Sequence, residues 1–349
     1  MLINKIKSVI ENSIKFNPCK IEIRYNEPMK KHTTFKTGGP VDCWIRPGVM
    51  NRAAGSAESI SLFCSDLLSC AKTEEIPVFI LGCGANIVVS DKGIRGIVID
   101  LTAWQDQAIN AEAQPYLDND ILIFKSGTKI DDAVNIAADH NLSGFEFFAG
   151  MPGTIGGAVW MNARCYGREI SDVLYWAEII INEECGVRNV ECGMRNVECN
   201  KKKYHIEKIE NRNSEGFSYK KSPFQNMDCL ILNAAFKLKK GDIKKIHAGA
   251  DKYRQDRKAK GHYLFPSAGS VFKNNHLFGK PAGQIIDECG LKGMRIGGAQ
   301  VAPFHGNIII NENNASASDI RDLTNEVSNK VKSATGFQLE PEILFIGEW

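Results

Sequence analysis

The sequence has no strong charge of either sign: 43 Lys and Arg face 41 Asp and Glu, for a net +2 over 349 residues. Such balance gives no global field for nucleic acid or an anionic membrane. An anionic ligand must then be held by local groups, which favours a small molecule over a polymer. Apolar runs long enough to span a bilayer are missing too. The opening stretch MLINKIKSVIENSIKFNPCK is charged throughout and lacks the apolar middle of a secretory signal; its spacing predicts a helix. Cysteine occurs eleven times, an odd number, and never as C-x-x-C. Zinc spacing is absent, no metal is expected, and a disulfide framework is out of place at this length. Scattered reduced thiols point to the cytoplasm.

Familiar catalytic signatures are missing as well. PSAGSVFKNN (266–275) sets Ser270 in a small-residue turn ahead of Lys273, yet Gly269-Ser270-Val271-Phe272 lacks the second glycine of a hydrolase elbow. LGCGANIVVSDKG (81–93) places Gly82 and Gly84 after an apolar strand, but Ile87 stands where a dinucleotide fingerprint needs glycine. The Gly-Lys-Ser/Thr ending of a P-loop is also absent. What remains is a glycine turn whose amides can converge on a phosphate; a plain β-turn is the commoner reading of that pattern alone. AGMPGTIGGAVWMNARCYG (149–167) says more, with Gly150, Gly153, Gly156 and Gly157 gathered around Pro152 and mixed with Met, Ile, Val and Trp. That mixture reads as a packed loop built around a ligand.

Hydrophobic spacing supplies the organisation. Residues 76–101 predict strand, glycine turn, strand, turn, strand, with Val78–Leu81 and Ile97–Leu101 buried. Helical spacing precedes them, and residues 121–141 pair a short strand with a helix beginning near Lys129. A boundary is expected near Gly241, where a strand gives way to a basic helix. Beyond it lie helical stretches around 279–290 and 316–335 and the strand-like NIIIN and EILFIG. The texture is α+β or α/β. Residues 184–200 carry a direct repeat, ECGVRNV then ECGMRNV, too short for a solenoid and read as a duplicated surface hairpin.

Six blocks taken in order carry a resemblance: TTFKTGGP (33–40), LGCGANIVVSDKG, GFEFFAGMPGTIGGAVWMNARCYG, PSAGSVFKN, GLKGMRIGGAQV and LEPEILFIG. Together they resemble the UDP-N-acetylenolpyruvoylglucosamine reductase family, over about residues 30 to 347. The resemblance implies an α+β chain with an FAD-binding fold of the vanillyl-alcohol-oxidase type. Its domains would be an N-terminal helical leader (1–35), two α/β subdomains holding FAD (36–241, divided near 104), and a C-terminal α/β substrate-binding domain (242–349). The implied enzyme is a cytoplasmic monomer that makes UDP-N-acetylmuramate for peptidoglycan, passing a hydride from NADPH as co-substrate through FAD to C3 of the enolpyruvyl ether.

Residue by residue, the resemblance implies that Ser270 protonates C2 and that Glu342, the second glutamate of LEPE, assists. Lys220 of SYKKSPFQ stands where the family has an arginine, keeping the charge but not the bidentate fork. Thr34, Gly82, Cys83, Gly84, Ala85, Asn86, Ile87, Gly150, Gly153, Gly156 and Gly157 would hold FAD. The UDP-sugar would meet Tyr219, Asn274, His305 and, at its diphosphate, Lys258 or adjacent Arg257. Arg164 and Cys165 depart from the family's small residues. No nicotinamide motif is separate from these blocks, and neither nucleic acid nor a membrane span is implied. Two alternatives stay open: another FAD oxidoreductase of the same fold, or a catalytically impaired flavin- or nucleotide-binding relative.

Overall fold

The structure, a computed structural model, describes residues 2–16, 20–48, 57–105, 116–118, 120–182, 204–211 and 214–349. The repeat at 184–200 lies outside the described residues. Packing divides the chain into two interleaved units. The first comprises Met1–Arg24, Cys43–Gly82 and Gly96–Ala250; the second comprises Tyr25–Asp42, Cys83–Arg95 and Asp251–Trp349.

In the first unit, α1 (Leu2–Phe16) buries Ile6, Val9, Ile10 and Ser13, the three-and-four spacing of a core-facing stripe. Helix α2 (Ala57–Thr73) repeats the device with Ile60, Phe63, Cys64, Leu67, Leu68 and Ala71. Both stripes pack on Cys43, Ile45, Ile97 and Ile99. Those residues belong to a four-stranded sheet ordered Lys20–Pro28, Pro40–Gly48, Ile94–Asp100, Val78–Leu81, with the last two strands parallel. A second sheet has five strands, in the order Tyr204–Glu210, Leu174–Asn182, Cys229–Lys237, Ile121–Lys125, Tyr116–Asp118, all antiparallel. Leu122 and Phe124 face its core in strict alternation, and Phe145 meets Phe236 edge-on at 4.9 Å. Helices α3 (Ile130–Asp139) and α4 (Ile155–Met161) follow, and α5 (Ile243–Ala259) carries the chain across the division between units.

The second unit holds an antiparallel sheet in the order Ser267–Ser270, Ile308–Asn311, Ala299–Val301, Arg295–Ile296. Helices α6 (Ala282–Glu288) and α7 (Ala317–Thr335) join it in one core, through Ile285, Ile286, Ile320, Leu323, Val327 and Val331. A capping box opens α7: Asp319 N donates to Ser316 Oγ at 3.0 Å, and Ser316 N to Asp319 Oδ2 at 2.9 Å. Gly336 closes it at φ +79°. The carboxylate of Asp91 accepts the amides of Ala317 and Ser318 at 2.8 and 2.9 Å, placing negative charge at the helix start. Leu344–Ile346 runs parallel to Ile87–Val89.

Candidate active site

In the second unit, the glycine turn is tied down at both ends. Gly84 sits at φ +60°, and its carbonyl accepts Thr34 N at 3.1 Å and Thr34 Oγ1 at 3.4 Å. Asn86 O accepts Leu344 N at 3.0 Å, and Asn86 Nδ2 donates to Glu342 O at 3.1 Å. Ile87 pairs with Leu344. A β-strand follows the turn instead of a helix, so this is no Rossmann element.

The same unit brings Ser270 and Glu342 to one short bracket. Ser270 ends a strand, directly after Gly269 at φ +71°, where the register with the Ile308 strand shifts. The expected tight turn is therefore a bulged strand end, since Ser270 still pairs with Ile308. Val271 O accepts Glu342 N at 2.7 Å, and Phe272 bridges Pro341. Asn307 braces the other side: its O accepts Val271 N, its Oδ1 accepts Phe272 N and its Nδ2 donates to Phe272 O, all at 2.8 Å. Asn274 Oδ1 accepts the amide of Ala282 at the start of α6 (2.9 Å), and His305 Nδ1 accepts Asn307 N (3.1 Å).

Of the two candidate cations near 258, Lys258 is exposed, whereas Arg257 is only 7% exposed. His262 and His305 lie with ring centroids 6.1 Å apart. Burial first, then the positive charges of Arg257, His305 and Lys260, pushes His262 down from 6.5 to about 4. Burial and then Lys260 and Lys292 push His305 down as well. Unfolded chain takes up a proton at each near the ordinary value, while the folded protein resists. The contribution of these two histidines to stability is therefore constant above pH 6.5 and is lost as pH falls from there towards about 4. Urea midpoints should drop between pH 6.5 and about 5, where most carboxylates remain ionised, and His262→Gln should flatten that slope. An unchanged slope in the variant would show that His262 is not the group responsible.

In the first unit, the second glycine segment is half loop and half helix. Gly150 N donates to Asp131 Oδ1 at 2.8 Å, and Gly150 and Gly153 take φ of +72° and +139°. Gly156 and Gly157, expected in a loop, open α4, and their amides are already bonded to Ser126 O (2.8 Å) and Thr154 Oγ1 (3.4 Å). Their contribution is close approach: a Cβ on Gly156 would stand 2.8 Å from Ser126 Cβ, and one on Gly82 2.4 Å from Thr154 Oγ1.

The end of α4 is knitted to the SYKKSPFQ turn in the same unit. Ser222 Oγ and Gln225 Nε2 both donate to Trp160 O, at 2.6 and 3.1 Å, and Gln225 Nε2 lies 3.1 Å from Lys220 O. Paired bonds between Ser218 and Lys221 (3.0 and 2.9 Å) close a tight turn with Tyr219 and Lys220 at its tip. Lys220 is half-buried at φ +58°, while Lys221 is exposed.

The sequence reading did not single out Ser126, Thr37, Asn162 or Asn307. Ser126 Oγ and Thr37 Oγ1 are buried and meet no hydrogen-bond partner in the protein. A buried hydroxyl left so costs roughly 1–3 kcal/mol, which polar atoms of a bound group would offset. Among the described residues, the amides of Gly84 and Ala85 also donate to no protein acceptor. Ser126 lies under one glycine segment, Thr37 belongs to TTFKTGGP, and the two amides crown the other segment. Taken unit by unit, orphaned donors beside glycines suit an acceptor-rich group such as a flavin dinucleotide, whose diphosphate and ring edge both accept hydrogen bonds.

Residues 64–184 match the family model for an FAD binding domain, and residues 260–346 match the model for the C-terminal domain of UDP-N-acetylenolpyruvoylglucosamine reductase. Fold and site define an FAD-dependent oxidoreductase. The chain is 37% identical to UDP-N-acetylenolpyruvoylglucosamine reductase of Treponema denticola over 99% of both chains. It is 40% identical to that of Borrelia garinii subsp. bavariensis over 90% of each. The crystal structure of UDP-N-acetylenolpyruvylglucosamine reductase from Thermus caldophilus matches 94% of this chain and 100% of that one, at 27% identity and a TM-score of 0.66. The chain belongs to the UDP-N-acetylenolpyruvoylglucosamine reductase family, which serves peptidoglycan synthesis.

Proposed function

We propose that this chain converts UDP-N-acetylenolpyruvoylglucosamine to UDP-N-acetylmuramate with NADPH as reductant, and that Ser270 delivers the proton to C2. The observation that carries the reading is the bracket directly after Ser270, in which the Val271–Phe272 backbone is bonded to Asn307 on one side and Glu342 on the other. A hydroxyl on so fixed a strand end can meet a carbanionic carbon without reorganising, which is what a general acid needs.

Bound FAD would supply the hydride chemistry, accepting from NADPH and giving to C3. Thr34, the Gly82–Ile87 turn and the Gly150–Gly157 segment would hold it, with Ser126 and Thr37 as further donors. Lys220 would stabilise the negative charge that develops on C2 and its carboxylate. An αL lysine costs about 1–2 kcal/mol of backbone strain, the kind of outlier that clusters at functional sites. Glu342 would polarise the enolpyruvyl group, and Tyr219, Asn274, His305 and Arg257 or Lys258 would contact the UDP-sugar. No described helix is long and apolar enough to cross a membrane. We place the protein in the cytoplasm as a monomer, with residues 36–241 supplying most of the FAD contacts and 242–349 most of the substrate contacts.

The visible spectrum tests this reading directly. Purified protein should be yellow and release FAD, not FMN, on denaturation. NADPH should bleach it anaerobically, and the enolpyruvyl substrate should restore the colour. Colourless protein that FAD cannot reconstitute would sink the proposal, and bleaching without recolouring would favour an impaired relative.

A further inference from the structure

We propose that Arg164 supplies the guanidinium fork for the substrate's carboxylate, beside the point charge of Lys220. This inference rests on the reading above, in which the Tyr219–Lys220 turn serves the enolpyruvyl group. It starts from a two-residue hairpin: Tyr166 and Gly167 take φ of +50° and +77°, the positive pair a type I′ turn demands. That turn sets Arg164 directly opposite Glu169. Their charged groups lie 3.5 Å apart, an ion pair longer than an ordinary hydrogen bond, with the Arg164 side chain 31% exposed. The Arg164 guanidinium lies over the ring of Tyr219, 5.2 Å from its centroid. Tyr219 is the chain neighbour of Lys220, so ring and carboxylate together orient the fork beside the lysine turn.

A fully buried amide makes the arrangement rigid. Asn162, at φ +44°, donates from Nδ2 both to Glu169 Oε2 (2.8 Å) and to Ser218 O (2.9 Å). One side chain thus couples the hairpin that carries Arg164 to the first residue of the turn that carries Lys220. A carboxylate presents two coplanar oxygens. Guanidinium matches both with parallel N–H donors, whereas an ammonium offers only a compact charge. The division of labour is geometry from Arg164 and additional charge from Lys220.

The test is calorimetric binding of two probes to oxidised, FAD-loaded protein: the enolpyruvyl substrate, and UDP-N-acetylglucosamine, which lacks the carboxylate. Arg164→Ala should weaken the first about 10- to 100-fold, as loss of charge-assisted hydrogen bonds does, and leave the second within about twofold. Arg164→Lys, which keeps charge without the fork, should fall between wild type and alanine. Adding Lys220→Arg to Arg164→Ala should recover binding of the first probe, which mere repair of the hairpin would not achieve. Melting temperature and FAD content should hold throughout, and Lys221→Ala should match wild type. Equal weakening of both probes would reduce Arg164 to a structural ion pair and overturn the inference. Loss in Lys220→Ala with none in Arg164→Ala would overturn it while sparing the reading of the turn. No loss in either single variant would overturn both.

Discussion

Ser270→Ala is expected to slow reoxidation of the reduced protein by the enolpyruvyl substrate by roughly 10² to 10⁴, with reduction by NADPH nearly unchanged. The substitution isolates the hydroxyl because the surrounding frame does not use it. The Asn307 bracket holds the main chain of Val271 and Phe272, and Glu342 N bonds to Val271 O. Strand pairing with Ile308 is likewise a backbone matter. The φ +71° that bends the strand belongs to Gly269. Alanine therefore keeps the fold and removes only the proton donor. Stopped-flow absorbance separates the two half-reactions. If both slow equally, Ser270 positions the cofactor and another group protonates C2.

Gly84→Ala should cost the protein its cofactor. A side chain at φ +60° carries about 1–2 kcal/mol of strain before any contact is made. Here the added Cβ would also stand 2.2 Å from His32 O and 2.9 Å from Thr33 Cα. Both obstacles are backbone, and they cannot swing aside: Thr34 N bonds back to Gly84 O, and Thr33 Oγ1 to Thr37 O. The turn itself must move, carrying the amides of Gly84 and Ala85 with it. We expect FAD affinity at least about tenfold weaker and a melting temperature several degrees lower. Gly269→Ala supplies the contrast, since its φ is +71° but a Cβ there meets nothing within 4 Å. That variant should lose only the strain energy and retain FAD. A yellow, fully stable Gly84→Ala protein would remove the turn from the cofactor site.

Local features were legible in the sequence wherever one element's own spacing sets them. The α1 and α7 stripes follow from period 3.6, and the strands Val78–Leu81 and Ile121–Lys125 from short apolar runs, although the first is not the buried strand expected: Val78, Phe79 and Ile80 are half-buried and only Leu81 is buried. Features that depend on distant neighbours were not. Gly156 and Gly157 look like loop glycines until Ser126 is seen lying under the first turn of α4. Ser270 looks like a turn residue because its partner strand comes much later in the chain. The orphaned hydroxyls of Ser126 and Thr37 carry no local mark, since a serine or threonine before glycine is equally at home in any bend. Arg164 reads as a departure from its family until the ring of Tyr219 and the carboxylate of Glu169 give its guanidinium a place. The interleaving of the two units is hidden for the same reason: residues 25–42 and 83–95 pack with residues 251–349.

The parallel pairing of Leu344–Ile346 with Ile87–Val89 has a bearing on biogenesis. On a translating ribosome, the Gly82–Asn86 turn emerges well before the strand that ties down Asn86 O and the carbonyl of Glu342 that anchors its side chain, which lies 256 residues further along the chain. Pairings of such large sequence separation close slowly, because most of the chain must be ordered before they add any stability. The nascent polypeptide thus carries this turn without its strand anchor until Leu344–Ile346 has left the exit tunnel.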